Sequence, residues 1–267
     1  SEMSVAYQNF ITRLGGGLLN LIVPETLAAG PQPGSWRIQV QTPGSDERLF
    51  VDLLTPINGR EDGWCALEQA FVLAQREQAN LYGLHVTHTE RDENAPDEHA
   101  VRDEFNQRCQ RAGVRGVLVV TEGEVVEQTC LRAAVTDLVI VNLSHPPALQ
   151  PLARLSSGFR DLILRCPRPV LATPQTVSPL SRGLLAYDDS PKAREALYTA
   201  AYLALRWQMP LTVVTIDDSV SAAESVQAFA RQYLEQHHIG ASFRIEGGPA
   251  ASAILQVAEQ DGSDLLL

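Results

Sequence analysis

Side chains able to do chemistry are sparse in this chain, and three groupings stand out: the acidic pairs Asp188-Asp189 and Asp217-Asp218, the neighbours Ser144-His145, and His85 with His88. Each acidic pair follows an apolar run that reads as a strand, on the side where open α/β sheets place their ligands. Carboxylates there could hold a divalent cation or accept hydrogen bonds from a ribose or an adenine. Asp also closes turns through its own carboxylate, and that solvated-turn reading stands beside the ligand reading. Ser144-His145 has the types of a nucleophile and a base. Sequence neighbours seldom face each other correctly, however, and no Gly-x-Ser-x-Gly elbow surrounds them, so a loop is the reading. His85 and His88 lie three apart at a strand end without a convergent carboxylate or thiol, which favours structural or solvent-facing roles. His237-His238 close an amphipathic helix, where cations suit the negative end of the dipole. Gly15-Gly16-Gly17 lacks the Lys-Ser/Thr of a phosphate loop and reads as a turn.

Composition narrows the classes further. The net charge of −11 comes from 21 basic against 32 acidic residues, with no basic cluster, so a nucleic acid partner is not expected. Cys65, Cys109, Cys130 and Cys166 show no C-x-x-C or zinc spacing and read as reduced, buried thiols of a cytoplasmic protein. Leu18–Val23 is interrupted by Asn20 and closed by Pro24, far short of the roughly 20 apolar residues of a membrane span. No signal-type segment opens the chain, and direct membrane insertion is not expected.

The elements that must hold these residues follow from periodicity. Around Asp188-Asp189 a buried strand, Gly183–Ala186, leads through the acidic turn to a helix capped by Ser190 and opened by Pro191. Ala193, Ala196, Leu197, Ala200, Ala201 and Ala204 form a small-residue face that can lie close on a sheet. The preceding region has the same rhythm. Strands are expected at Leu49–Thr55, Asn80–Val86, Gly116–Val120, Asp137–Val141 and Pro169–Ala172. Helices are expected at Gly63–Gln75, Asp97–Ala112, Val125–Ala134 and about Leu155–Leu164. Alternation of this kind implies right-handed crossovers and a parallel sheet covered on both faces. Residues 1–44 stay outside the pattern, with an amphipathic piece at Val5–Leu14 and a potential strand at Trp36–Val40. After a short linker, 175–181, the second half repeats the first: Gly183–Ala186 matches Phe50–Leu54, Leu211–Ile216 matches Leu81–Val86, and Ala222–His237, closed by Gly240, matches the helix closed by Gly113. The second copy stops at Leu267 without its last helix and strand, and another chain or further sequence is expected to complete it.

At these residues the chain resembles the universal stress protein family in a tandem arrangement. The resemblance rests on Leu185-Ala186-Tyr187-Asp188-Asp189-Ser190-Pro191, where the family usually has Gly in place of Asp189, and on Gly247, Pro249 and Ile254. It rests also on the Asp-led strand starts at Asp137 and Asp264 and on Cys166-Pro167-Arg168-Pro169-Val170. It implies an α/β fold of two tandem universal-stress-like (adenine nucleotide alpha hydrolase-like) domains, each an open parallel sheet flanked by helices, with the second copy incomplete. The division is an N-terminal extension, 1–44, a first domain, 45–174, the linker, 175–181, and a truncated second domain, 182–267.

The family divides into ATP binders and non-binders. In binders the Asp ending the first strand meets the adenosine, and the loop after the fourth strand carries Gly, two residues, Gly, nine residues, Gly, then Ser or Thr. Here those loop positions fall on Leu143, Pro146, Ser156 and Ser157, and only Ser157 agrees. Pro146 has no N–H to offer a phosphate, and the side chain of Leu143 crowds its approach. Asn58 stands at the adenosine position of the first copy and Asp188 at that of the second, whose phosphate loop would lie beyond Leu267. The resemblance therefore gives Asp188, Asn58 and Ser157 as cofactor-binding candidates, ATP or another adenine nucleotide as the ligand, no catalytic residue and no metal. It implies a non-catalytic cytoplasmic stress-response regulator with degenerate or incomplete nucleotide sites. Its alternatives are a soluble regulatory tail of a membrane transporter and an ATP-binding protein that uses a completed second domain. It also implies a homo-oligomer, or an intramolecular pseudo-dimer paired through the edge of the last strand, Pro169–Ala172.

Overall fold

The computed structural model describes residues 48–87, 97–143 and 158–267. Residues 48–267 form one compact unit with two parallel sheets. The first sheet contains β1 (Asp52–Pro56), β2 (Asn80–Thr87), β3 (Gly116–Glu122), β4 (Leu138–Asn142) and β5 (Val170–Thr173), in the order β3-β2-β1-β4-β5. Its helices are α1 (Glu61–Glu77), α2 (Glu98–Ala112), α3 (Val125–Ala133) and α4 (Gly158–Arg165). The second sheet contains β6 (Gly183–Ala186), β7 (Leu211–Ile216), β8 (Ala241–Glu246) and β9 (Leu265–Leu266), in the order β8-β7-β6-β9. Helices α5 (Pro191–Trp207), α6 (Val220–Gln236) and α7 (Ala250–Asp261) serve it. The expected α/β architecture and its duplication are both present.

Strand register fixes the correspondence of the two copies. Leu53 faces Leu81 and Leu138, and Gly183 faces Leu211 and Leu265, so β6 corresponds to Leu53–Pro56 and not to Phe50–Leu54. Sequence pattern misplaced this by three residues because apolar residues run continuously through Leu49–Leu54 apart from Asp52. The start of the first strand is held the same way in each copy. Asp137 Oδ2 accepts the N–H groups of Val51 and Asp52, each at 2.9 Å. Asp264 accepts those of Ser181 and Arg182 at 2.9 and 2.7 Å, together with the Ser181 hydroxyl at 3.0 Å. The Asp before the fourth strand of each copy is thus a clamp on the first strand.

The helices bury the faces that the sequence indicates. Leu67, Ala70, Phe71 and Ala74 of α1 and Ala193, Leu197, Ala200, Ala201 and Ala204 of α5 are buried against their sheets. Ser190 Oγ accepts the Ala193 N–H at 3.2 Å, and Pro191 opens α5, as the capping logic requires. Helix α6 ends differently from expectation: His238, at φ 58°, takes the left-handed position rather than Gly240. His237 packs its ring 4.6 Å from that of Tyr233. Trp36–Val40, Val5–Leu14 and Gly15-Gly16-Gly17 lie outside the described residues.

The two sheets share one apolar core, in which Leu73 and Phe50 meet Leu203, Met209 and Leu265. At its edge Glu77, the last residue of α1, is fully buried and accepts hydrogen bonds from the Tyr202 hydroxyl and the Trp207 indole N–H of α5. Glu77 and Trp207 are the last residues of corresponding helices, each followed by a left-handed Gln, Gln78 and Gln208, at φ 52°. Equivalent positions of the two copies therefore touch, as positions near a pseudo-two-fold axis do. Arg76 adds its guanidinium 4.9 Å from the Trp207 ring and donates to the carbonyls of Pro179 and Leu180. The edge of β5 forms no strand pairing between the copies, since it pairs with β4 alone among the described strands, although Leu171 of β5 packs on the shared core.

Burial pushes the Asp264 carboxyl up, but the donors from Ser181, Arg182 and Ser178 outweigh it and hold the group below its ordinary value. A depressed folded value adds stability above the unfolded carboxylate range and loses it as pH falls through the folded value. Asp264→Asn is expected to lower unfolding stability at neutral pH by about 1.5 kcal/mol, the worth of hydrogen bonds to a charged acceptor. The deficit shrinks as both proteins are taken below pH ~4, where the unfolded carboxyl is protonated. Urea unfolding followed by circular dichroism across that pH range measures both effects.

Candidate functional site

In each copy the order of strands reverses at the first strand, β1 or β6, and its carboxyl end opens on the crevice where α/β sheets take ligands. The two crevices are built by the same hydrogen bonds. The Ile57 N–H donates to Leu84 O at 2.8 Å, and the Tyr187 N–H donates to Val214 O at 2.9 Å, carrying the parallel ladder one residue past the strand. The next carbonyls are satisfied by neighbouring side chains: His85 Nδ1 donates to Ile57 O at 2.8 Å, and Thr215 Oγ1 donates to Tyr187 O at 2.7 Å. His85 is thereby a buried structural group. His88 lies outside the described residues, as do Ser144 and His145.

Asn58 and Asp188 come next, at corresponding points, and both are exposed. Each turns its side chain back on its own loop. Asn58 Oδ1 accepts the Arg60 N–H at 2.9 Å, and Asp188 Oδ1 accepts the Ser190 N–H at 3.0 Å. Asn58 also lies so close over α1 that a Cβ on Gly63 would come within 2.1 Å of Oδ1, so a side chain there would displace the Asn58 amide. Bonds from the Ser190 hydroxyl and N–H hold the Asp188 carboxyl below its ordinary value, which keeps it charged.

The following residue adopts the left-handed conformation in both copies, Gly59 at φ 74° and Asp189 at φ 62°. An L-residue is strained there, and Asp189 is held by its neighbours. Tyr187 donates its hydroxyl to Asp189 Oδ1 at 2.6 Å, and Arg194 grips both carboxylate oxygens at 2.9 and 3.0 Å. The Arg194 guanidinium also stacks 4.5 Å from the Phe229 ring of α6. These hydrogen bonds, from Arg194 first, hold the Asp189 carboxyl below its ordinary value.

The end of β7 is closed similarly. Asp217 Oδ1 accepts the Ser219 N–H at 2.8 Å, and Asp218 Oδ1 reaches the Gly248 N–H at 3.2 Å. Beyond β4, the Leu143 N–H donates to Thr173 O at 2.7 Å and so extends the β4–β5 ladder. Ser157, Pro146 and Ser156 lie outside the described residues, which contain no group of three or more His, Cys, Asp or Glu able to hold a metal. Among those residues no helix is long and apolar enough to cross a membrane.

This arrangement matches solved structures over most of its length. A universal stress protein from Archaeoglobus fulgidus DSM 4304 superimposes with a TM-score of 0.63 and 16% identity, over 80% of this chain and 83% of that one. The chain has the universal stress protein fold. A functionally unknown protein from Pseudomonas aeruginosa PAO1 is similar at a TM-score of 0.58 and 20% identity, over 81% of this chain and 80% of its own. No protein-family model matches the sequence, and no curated protein matches it.

Within this universal-stress fold the structure gives Asn58 and Asp188 equivalent places but brings neither to the other, since they belong to separate sheets. Sequence reasoning missed Tyr187 and Arg194. One signal for Arg194 was available: a cation in the first turns of a helix opposes the dipole and calls for an acidic partner. Asp189→Val places a β-branched residue at φ 62° and leaves Tyr187 and Arg194 no carboxylate to bond. This variant is expected to unfold about 1–2 kcal/mol more easily than Asp189→Gly, the cost of left-handed backbone for an L-residue. Chemical denaturation of the two variants side by side measures the difference.

Proposed function

We propose that this chain is a non-catalytic, cytoplasmic regulatory protein of universal stress type that does not hold ATP in the manner of the family's nucleotide binders. The reading is carried by the Leu143 N–H. This amide stands at the first glycine position of the phosphate loop in the resemblance, and it is already donated to Thr173 O at 2.7 Å. A phosphate oxygen would have to compete with a strand-ladder bond and with the Leu143 side chain. The adenosine-side candidates, Asn58 and Asp188, are likewise engaged with Arg60 and Ser190. Ser157 remains a candidate hydroxyl for the same loop. Four free cysteines suit a reducing compartment.

The purified chain is expected to carry no stoichiometric nucleotide in an acid extract. It should bind Mg-ATP more weakly than about 1 mM by titration calorimetry and release neither ADP nor AMP. Copurified nucleotide near one per chain, or turnover abolished by Asp188→Ala, would overturn the proposal.

A further inference from the structure

An open strand edge invites another strand, and one edge of this molecule is guarded against it. On β3 the Leu118 carbonyl takes a hydrogen bond from the Arg102 guanidinium at 3.4 Å. The edges of β5 and β9 have no such guard. The Val139 N–H donates to Pro169 O and the Leu143 N–H to Thr173 O, so alternation turns the N–H and C=O groups of Val170 and Ala172 to the outer edge of β5. Likewise the Leu265 N–H donates to Arg182 O and the Leu267 N–H to Leu184 O, which turns those of Leu266 to the outer edge of β9. Among the described residues these outward groups have no hydrogen-bond partner. Both edges line one groove of about 670 Å³. Its lining includes Leu73 and Leu203 of the shared core and the exposed side chains of Ile163 and Leu266.

We propose that this groove is a strand-acceptor site that takes an extended apolar segment of a partner protein by β-augmentation. The segment runs parallel to β9, as β5 runs parallel to β4, and exchanges hydrogen bonds with the outward N–H and C=O of Leu266. On its other side Val170 and Ala172 offer theirs. Main-chain bonds thus hold the segment, and apolar side chains fill the groove.

The first sheet shows which chemistry suits the place. β4 pairs with β1 as β9 pairs with β6, so β9 is its counterpart. Beside β4 the chain sets Val170–Thr173, which carries no charge and has only small or branched side chains. The occupant beside β9 is therefore a segment of that kind. A second copy could supply its own β5 only by giving up the ladder to β4, which points to a separate polypeptide rather than to a homodimer.

The test uses the full chain and a fluorescent synthetic peptide of residues 167–175, which contains the β5 strand. Anisotropy is expected to give a Kd below about 100 μM, with a scrambled peptide of the same composition at least about tenfold weaker. Amide exchange should slow at Leu266 and at Ala172 when the peptide is added. Two groove variants, Thr199→Trp, which fills it from α5, and Ile163→Glu, which puts a charge at an exposed lining position, should each weaken binding about tenfold. Their circular dichroism spectra should match that of the parent chain. Absence of binding, equal binding of the scrambled peptide, or unchanged binding in both variants would overturn the proposal. So would protection of Ala172 without Leu266, because the peptide would then have replaced β5 in its own sheet. A dimer in sedimentation velocity that Ile163→Glu dissociates would also overturn it, because a second copy would then be the occupant.

Discussion

Parallel strands end in backbone groups that need partners, and in this molecule the chain supplies them from its own side chains at one crevice after another. Asn58 and Asp188 take the N–H two residues ahead, His85 and Thr215 take the carbonyl just behind, and Asp217 and Asp218 close the next turns. A ligand at such an end must displace a bond already made, or reach a group that has capacity left. Charge-assisted bonds are the strongest of these, so the copy with Asp188 and Asp189 is held more firmly than the copy with Asn58 and Gly59. In this chain these described strand-end groups are bonded from within.

The two copies share one core and meet through equivalent helix ends. A homodimer with identical subunits would place Glu against Glu or Trp against Trp at the axis. Duplication within one chain permits Glu77 against Trp207, with Tyr202 as second donor, and so allows a buried carboxylate to be satisfied. The helix-terminal residues of the two copies thus differ while their left-handed Gln caps are the same.

Much of this was readable from the sequence where the determinants are local. Ser190-Pro191 set the start of α5 unaided, and the Ala-rich face of that helix declared its burial. The rhythm of strand and helix gave the sheets, and Asp188 and Asn58 were placed at corresponding turns. Long-range partners were not readable: Glu77 lies 125 residues from Tyr202 and 130 from Trp207, and it reads in sequence as one more surface acid at a helix end. The stop of α6 was misread because Gly240 is the better left-handed residue in isolation, whereas the turn tolerates His238 there. The closing role of the strand-end side chains was legible only as one of two readings, since Asp serves turns and ligands with the same atoms.

Amide hydrogen exchange with and without Mg-ATP tests the central claim most directly, read at Arg60, Leu143 and Ser190. These N–H groups are bonded to Asn58, Thr173 and Asp188, so slowed exchange that is indifferent to nucleotide is the predicted result. Fast exchange in the free protein that becomes protected when Mg-ATP is added would contradict it, because the amides would then be waiting for a ligand.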